Sequence, residues 1–207
     1  MNPIHHVHSR TLVLAHENID TDRIIPARFL TTTTRAGLGR HAFQDWRYRS
    51  DGTPDPDFVL NRPEYAGASI LVGAERFGTG SSREHAVWAL LDYGFAAVVA
   101  SSFGDIFSTN AAKQGLVVVR LEPGALAELV ALVEADPTRH VTVDVERLVV
   151  EVPDAGWRRG FDLEPMTRER LLQGWDDIGL SLRHEAEITA FESRHGGQTP
   201  VSRLAAR

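Results

Sequence analysis

Three short apolar runs separated by helical stretches constrain this chain more than any other feature of it. Residues 68–73 (ASILVG), 95–100 (FAAVVA) and 116–121 (LVVVRL) each have the length and aliphatic content of a buried strand. Helical stretches follow each of them. In 83–93, Val87, Leu90 and Leu91 share a face and Gly94 stops the helix; 102–114 is stopped by Gly115, and 124–135 ends before Pro137. Ser102, followed three residues later by Asp105, reads as the N-cap of the second helix. Strand and helix alternating through short connections make a parallel sheet with right-handed crossovers, an α/β fold.

The flanks read differently. Residues 10–16 (RTLVLAH) fit a first strand, and 18–22 turn the chain. Pro26 restricts 23–30 to an edge strand or an irregular crossing. Residues 31–57 read as a long loop with one short helix, facing function or a partner; with few apolar anchors it is expected to be mobile in the isolated chain. In 141–152, apolar and polar residues alternate around Glu146-Arg147, the pattern of an antiparallel pair. Helices are expected at 166–175 and 183–194, separated by residues 176–179. One domain should therefore span 1–194, these C-terminal helices included, with a disordered tail at 195–207.

Composition excludes several kinds of function. The 207 residues contain no cysteine, which rules out disulfides, thiolate catalysis and an iron–sulfur cluster ligated by this chain. With 22 Lys+Arg against 28 Asp+Glu, the net charge of −6 argues against binding nucleic acid through bulk charge. No run of about 18 apolar residues marks a membrane span, and residues 1–10 lack an apolar signal core, so a cytoplasmic protein is expected. Lys113 is the only lysine among the basic residues. Arginine is thus too common here to mark an anion site except by its position.

The informative position is 76–86, Arg-Phe-Gly-Thr-Gly-Ser-Ser-Arg-Glu-His-Ala, between the first apolar run and its helix. Such a junction lies at the carboxyl edge of a parallel sheet, where open α/β sheets bind ligands. Gly78 and Gly80 permit a tight turn and close backbone approach. Unpaired amides at a helix start welcome an anion, and Arg83 adds a fork matched to carboxylate or phosphate. The same residues fit a second purpose, because Ser81-x-x-Glu84 is the pattern of a capping box. Both readings stay open at this level. No lysine follows the glycines at P-loop spacing, and Gly80-Ser81-Ser82-Arg83 is not a hydrolase nucleophile elbow. A reactive Ser81 would need its alkoxide stabilised by amides and a guanidinium before it could take a proton from carbon.

The string GTGSSREHAVWALLDYGFAAVVASSFGDIF, with NIDTDRIIPARFL, FQDWRY, PDFVLN and LLQGWDDIGLSL, resembles the small subunit of bacterial 3-isopropylmalate dehydratase (isopropylmalate isomerase) over roughly residues 10–192. The resemblance implies the swivelling β/β/α domain of the aconitase superfamily, with a central, mainly parallel sheet flanked by helices. It implies a heterodimer with a large subunit that holds a [4Fe-4S] cluster on its own cysteines. The small di-acid substrate would be 2-isopropylmalate, dehydrated and rehydrated to 3-isopropylmalate in leucine synthesis, with the cluster iron acting as Lewis acid on the leaving hydroxyl. Ser81 is implied as the base at carbon, Ser82 and Arg83 as substrate contacts, and Glu84 and His85 as helix-start and packing residues. A further substrate arginine precedes the motif in the superfamily, and Arg35, Arg40 and Arg47 are its candidates. Thr79 and Ala111 stand where many members carry cysteine, neither of them a cluster ligand. These departures leave open a paralogous hydro-lyase for citramalate, dimethylmalate or a homoaconitate-type substrate. A reading from another class is a non-catalytic module that holds an anionic metabolite at 78–83.

Other residues carry alternatives. His5, His6 and His8 fit scattered histidines on an exposed N-terminus or a metal-binding tract. Asp20-Thr21-Asp22 fits an active-site rim or an Asx turn. Residues 45–48 fit a subunit interface, a substrate pocket or plain aromatic packing, and Trp175-Asp176-Asp177 a capped helix junction.

Overall fold

A computed structural model describes residues 1–195, which divide into two compact units, Met1–Gly174 and the segment from Trp175 onward. The first unit runs β1 (His6–Leu14), α1 (Thr21–Ile24), α2 (Gln44–Arg47), β2 (Ile70–Gly73), α3 (His85–Tyr93), β3 (Ala97–Ala100) and α4 (Asp105–Gln114). It continues through β4 (Val117–Arg120), α5 (Pro123–Ala135), β5 (His140–Asp144), β6 (Val149–Val152), β7 (Trp157–Gly160) and α6 (Pro165–Gln173). The second unit holds α7 (Asp177–Leu182) and α8 (Glu185–His195).

The strands form one sheet in the order β4-β3-β2-β1-β5-β6-β7. Strands β1 to β4 are parallel, with Thr11 opposite Ile70, Ile70 opposite Ala97 and Ala97 opposite Val117. Strands β5, β6 and β7 extend the sheet from β1 in antiparallel fashion. The expected α/β architecture is present, and 141–152 folds as the antiparallel pair its alternation requires. Strand β7 has no apolar signature, because Arg158, Arg159 and Gly160 are exposed and only Trp157 is partly covered; charged residues on an edge strand discourage further pairing. Strand β1 begins at His6, ahead of the aliphatic run, because its first half pairs with β5 while one face stays in solvent.

Each face of the sheet covers its own core. Strands β2, β3 and β4 step in one direction, so right-handed crossovers put α3 and α4 on the same face. There Leu12, Leu71 and Val98 meet Leu90 and Phe107. Helix α5 returns on the opposite face, where Val72, Val99, Val119 and Val143 meet Leu126, Leu129 and Leu171 of α6. Burying each such side chain contributes about 1.5–3 kcal/mol, and the strands' two-residue period is what divides them between faces.

Within 31–57, Leu38, Ala42 and Phe43 are buried in the first core and Gly39 lies against the Asp92–Tyr93 backbone with no room for a side chain, while most of 31–37 and 49–57 is exposed. The Asp92 carboxylate also accepts from the Gly37 and Gly39 amides at 2.9 and 2.7 Å. Ser102 does not cap α4. Gly104 precedes that helix, and Ser102 continues the line of β3, its Oγ accepting from the Arg76 amide at 2.9 Å. In the second unit α7 occupies part of the expected break, with Asp176 as its cap, accepting from the Gly179 amide at 2.7 Å. That junction is capped, as Trp175-Asp176-Asp177 implied. Apart from His195, which ends α8, the tail expected at 195–207 lies outside the described residues. Among the described residues no helix is long and apolar enough to cross a membrane.

Gly78 and Gly52 separate two causes of glycine dependence. At Gly78, with φ +70°, a Cβ would stand 2.3 Å from Phe107 Cγ, whereas Gly52, at φ +83°, faces open space. Gly52→Ala is expected to cost about 1–2 kcal/mol through the left-handed backbone alone, and Gly78→Ala about 2–5 kcal/mol once overpacking is added. Urea-denaturation midpoints of the two variants check the difference.

Candidate active site

Between β2 and α3 the backbone is clamped from two sides. On the β1 side, Asn18 N donates to Glu75 O at 2.9 Å, Gly78 N to Ile19 O at 2.6 Å and Thr21 N to Thr79 O at 2.9 Å. On the β3 side, Phe77 N donates to Ser102 O at 3.0 Å and Gly104 N to Phe77 O at 2.9 Å. The chain beyond β2 therefore makes one parallel bridge with each neighbour, Asp20 to Thr79 and Phe77 to Phe103. Beneath it Phe77 meets Phe107 edge to face at 5.5 Å, and Phe103 stacks with Phe107 at 6.3 Å. Gly104 completes the fit, since a Cβ there would stand 2.6 Å from Gly78 O.

This scaffold presents Ser81 and Ser82 to solvent and leaves Arg83 half-buried. Ser81 N donates to the buried Thr21 Oγ1 at 3.2 Å, while the Ser81 hydroxyl has no partner among the described residues. Arg83 Nη1 donates to the Asp22 carboxylate. The capping box does not form. Glu84 precedes α3 and makes no cap bond; it accepts instead from Gln114 Nε2 at 2.6 Å. Of the two readings of Ser81-x-x-Glu84, capping falls away. His85 packs as expected, its Nε2 3.0 Å from Thr32 O and its ring 4.7 Å from that of Trp88.

Of the readings of Asp20-Thr21-Asp22, the turn is present. Asp20 forms the turn, accepting from the Arg23 amide at 2.8 Å, while Thr21 and Asp22 touch the serine loop. Among the candidate arginines, Arg35 lies over the Trp88 ring at 5.2 Å, on the shelf that His85 shares. Arg40 Nε donates to His41 Nε2 at 3.0 Å. Arg47 is committed to structure, donating to Asn61 Oδ1 at 2.9 Å and lying over the Tyr48 and Tyr93 rings at 5.4 and 4.9 Å. Trp46 packs on Phe43 and His16, and Asp45 pairs with Arg28, so 45–48 includes the aromatic packing weighed for it. Thr79, partly exposed, donates from Oγ1 to Arg76 O at 3.3 Å, and Ala111 is buried in the first core.

His6 and His8 lie on β1; His5 pairs with Glu146 at 2.6 Å, and His8 bonds Thr142 and stacks on His140. Among the described residues no group of three metal-ligating side chains converges. The Asp22–Arg83 pair joins residues 61 apart, a contact that spacing within one segment does not reveal. Chemically, an exposed serine hydroxyl and, two residues on, an arginine held by Asp22 are groups suited to anion binding and to proton transfer through a stabilised alkoxide.

The aconitase C-terminal domain family matches residues 1–124, and the family of C-terminal domains of the 3-isopropylmalate dehydratase small subunit matches residues 177–200. The 3-isopropylmalate dehydratase small subunit of Chloroflexus aurantiacus is 50% identical over 195 residues, 94% of this chain and 96% of that one. Its namesake in Anaeromyxobacter dehalogenans is 52% identical over 192 residues, 93% of this chain and 98% of that one. A crystal structure of 3-isopropylmalate dehydratase from Methanocaldococcus jannaschii aligns with a TM-score of 0.66 at 26% identity, covering 89% of this chain and 99% of that one.

Thr21→Val removes the acceptor that fixes the Ser81 amide and keeps the side chain's shape. It is expected to cost about 1 kcal/mol and to speed hydrogen exchange at the Ser81 amide, with the Gly94 amide as an unaffected reference.

Proposed function

Because this chain belongs to the family of 3-isopropylmalate dehydratase small subunits, in the aconitase superfamily, we propose that it works with a large subunit to interconvert 2-isopropylmalate and 3-isopropylmalate in leucine biosynthesis. The observation that carries this reading is identity at half of all positions across 94% of the chain with a protein of that name. We take residues 1–194 as the swivelling small-subunit domain of a cytoplasmic heterodimer. Its own residues do not fit a [4Fe-4S] cluster: the chain has no cysteine, and cluster irons are held chiefly by thiolates. The cluster is therefore assigned to the large subunit.

In this reading Ser81 is the base. Its alkoxide takes a proton from C3 of 2-isopropylmalate as hydroxide leaves C2, which gives the alkene. A proton then passes from the Ser81 hydroxyl to C2 as hydroxide adds at C3, and the base is regenerated. Ser82 and Arg83 hold the substrate carboxylates, and Asp22 positions Arg83. The further substrate arginine is one of Arg35, Arg40 and Arg47, of which Arg47 keeps a buried Nη1 with no partner among the described residues. Supporting these roles are the unpartnered Ser81 hydroxyl, the Thr21 anchor on its amide and the Asp22–Arg83 pair.

The alternative, a paralogue acting on another malate, draws on Thr79 and Ala111. Ala111 fills core and Thr79 bonds its own loop, while the relatives that match nearly the whole chain carry the isopropylmalate name, which favours the isopropylmalate reading.

In the complex assembled with its large subunit, Ser81→Ala is expected to lower kcat by about 10²–10⁴-fold with KM little changed; wild-type turnover in that variant would overturn the base assignment. A panel of 2-isopropylmalate, citramalate, dimethylmalate and homocitrate tests the substrate. Strong preference for any but the first refutes the leucine role.

A further inference from the structure

A cavity of about 660 Å³ opens at the β4 edge of the sheet, and none of residues 78–83 lines it. Its volume is in the range of small-molecule sites. Phe103, Val118, Phe161 and Leu163 give it an apolar wall. Three of its charged side chains, Arg120, Glu122 and Asp162, have no hydrogen bond or ion pair among the described residues. Val118, Arg120 and Glu122 alternate along the strand and its extension, so the two-residue period turns all three to the same side. Asp162 comes from the segment that leaves β7, at the opposite edge of the sheet. Lys113 and Arg170 also border the cavity with partners of their own, and Glu164 is occupied by the Met166 and Thr167 amides.

This mixture of charges discriminates between ligand classes. A simple carboxylate that approaches Arg120 also meets two unpaired carboxylates, and a simple amine drawn to Glu122 and Asp162 meets the guanidinium. A zwitterion satisfies both signs, and an aliphatic or aromatic side chain covers the apolar wall. We propose that this cavity binds an apolar α-amino acid, with its carboxylate on the Arg120 fork and its ammonium between Glu122 and Asp162. None of Ser81, Ser82 and Arg83 lines the cavity, so the proposal does not rest on the chemistry at Ser81 or on which malate the complex turns over, although Phe103 borders both regions.

The test is a titration of the full chain with L-leucine, 4-methylpentanoate and 3-methylbutylamine, followed by backbone amide shifts. L-Leucine is expected to give saturable shifts at residues 118–122 and 161–163, with the two analogues, each missing one charge, at least about tenfold weaker. Arg120→Gln and Asp162→Asn, both at exposed positions, should each weaken L-leucine by about tenfold or more with the rest of the amide spectrum unchanged. The proposal is overturned if L-leucine gives no saturable shift up to about 10 mM, which is already weak binding. It is equally overturned if either analogue binds as tightly as L-leucine, or if either variant keeps wild-type affinity.

Discussion

The candidate active site depends on a backbone clamp. Residues 75–79 leave β2 and bond on one side to the segment following β1, through Ile19 O and Thr21 N, and on the other to the segment following β3, through Ser102 O and Gly104 N. Two parallel bridges thus continue the sheet past the formal end of its central strand. The close approach is possible only because Gly78 and Gly104 lack side chains, and the Phe107 ring fills the space beneath. A loop tied in this way gives up little further conformational freedom when a ligand binds, and that pre-organisation is what lets polar groups act on a reacting centre.

The clamp also sets which groups the chain contributes. Thr21 is buried and fixes the Ser81 amide, while one residue on Asp22 is exposed and engages Arg83. A single short turn, capped by Asp20, thereby holds both the proposed base and the proposed anion fork. These groups suit proton transfer and carboxylate binding. Ligands for a Lewis-acid cluster are missing from the composition itself, which matches a division of labour between two polypeptides.

The parallel half of the fold was legible because buried strands and amphipathic helices write their periods into sequence. Strand β7 was not, because an exposed edge made of Arg158 and Arg159 has no apolar face to alternate. The anchors of 31–57 were hidden for a related reason. Leu38, Ala42 and Phe43 are buried by packing against α3, and single-turn helices among glycines give no periodic signal. At the candidate site, residues 78–83 were legible as a loop between strand and helix, and Thr21 and Asp22 touch that loop. The partner of each side chain was not legible, because Ser81 with Thr21 and Arg83 with Asp22 are long-range contacts fixed by strand order. The error at Ser102 has the same origin. Local capping preference is modest in size, and a tertiary bond from the Arg76 amide outweighs it.

Loss of the capping box changes how an alkoxide at Ser81 would be stabilised. Ser81 stands three residues before Glu84, the residue that opens α3, and the helix-dipole effect fades beyond the terminal turn. More of the task then falls to the Arg83 guanidinium. Its bond to Asp22 uses one terminal nitrogen, so the rest of the fork remains for a substrate carboxylate. The Asp22 charge offsets that of Arg83 only in part, because its side chain is 55% exposed and water screens it. If, as proposed, a substrate and a large subunit exclude water from this loop, the same charges act in a medium of lower dielectric and interact more strongly. The arrangement is therefore weak as an open surface and strong once covered, a physical reason for a serine of this kind to act in the assembled complex.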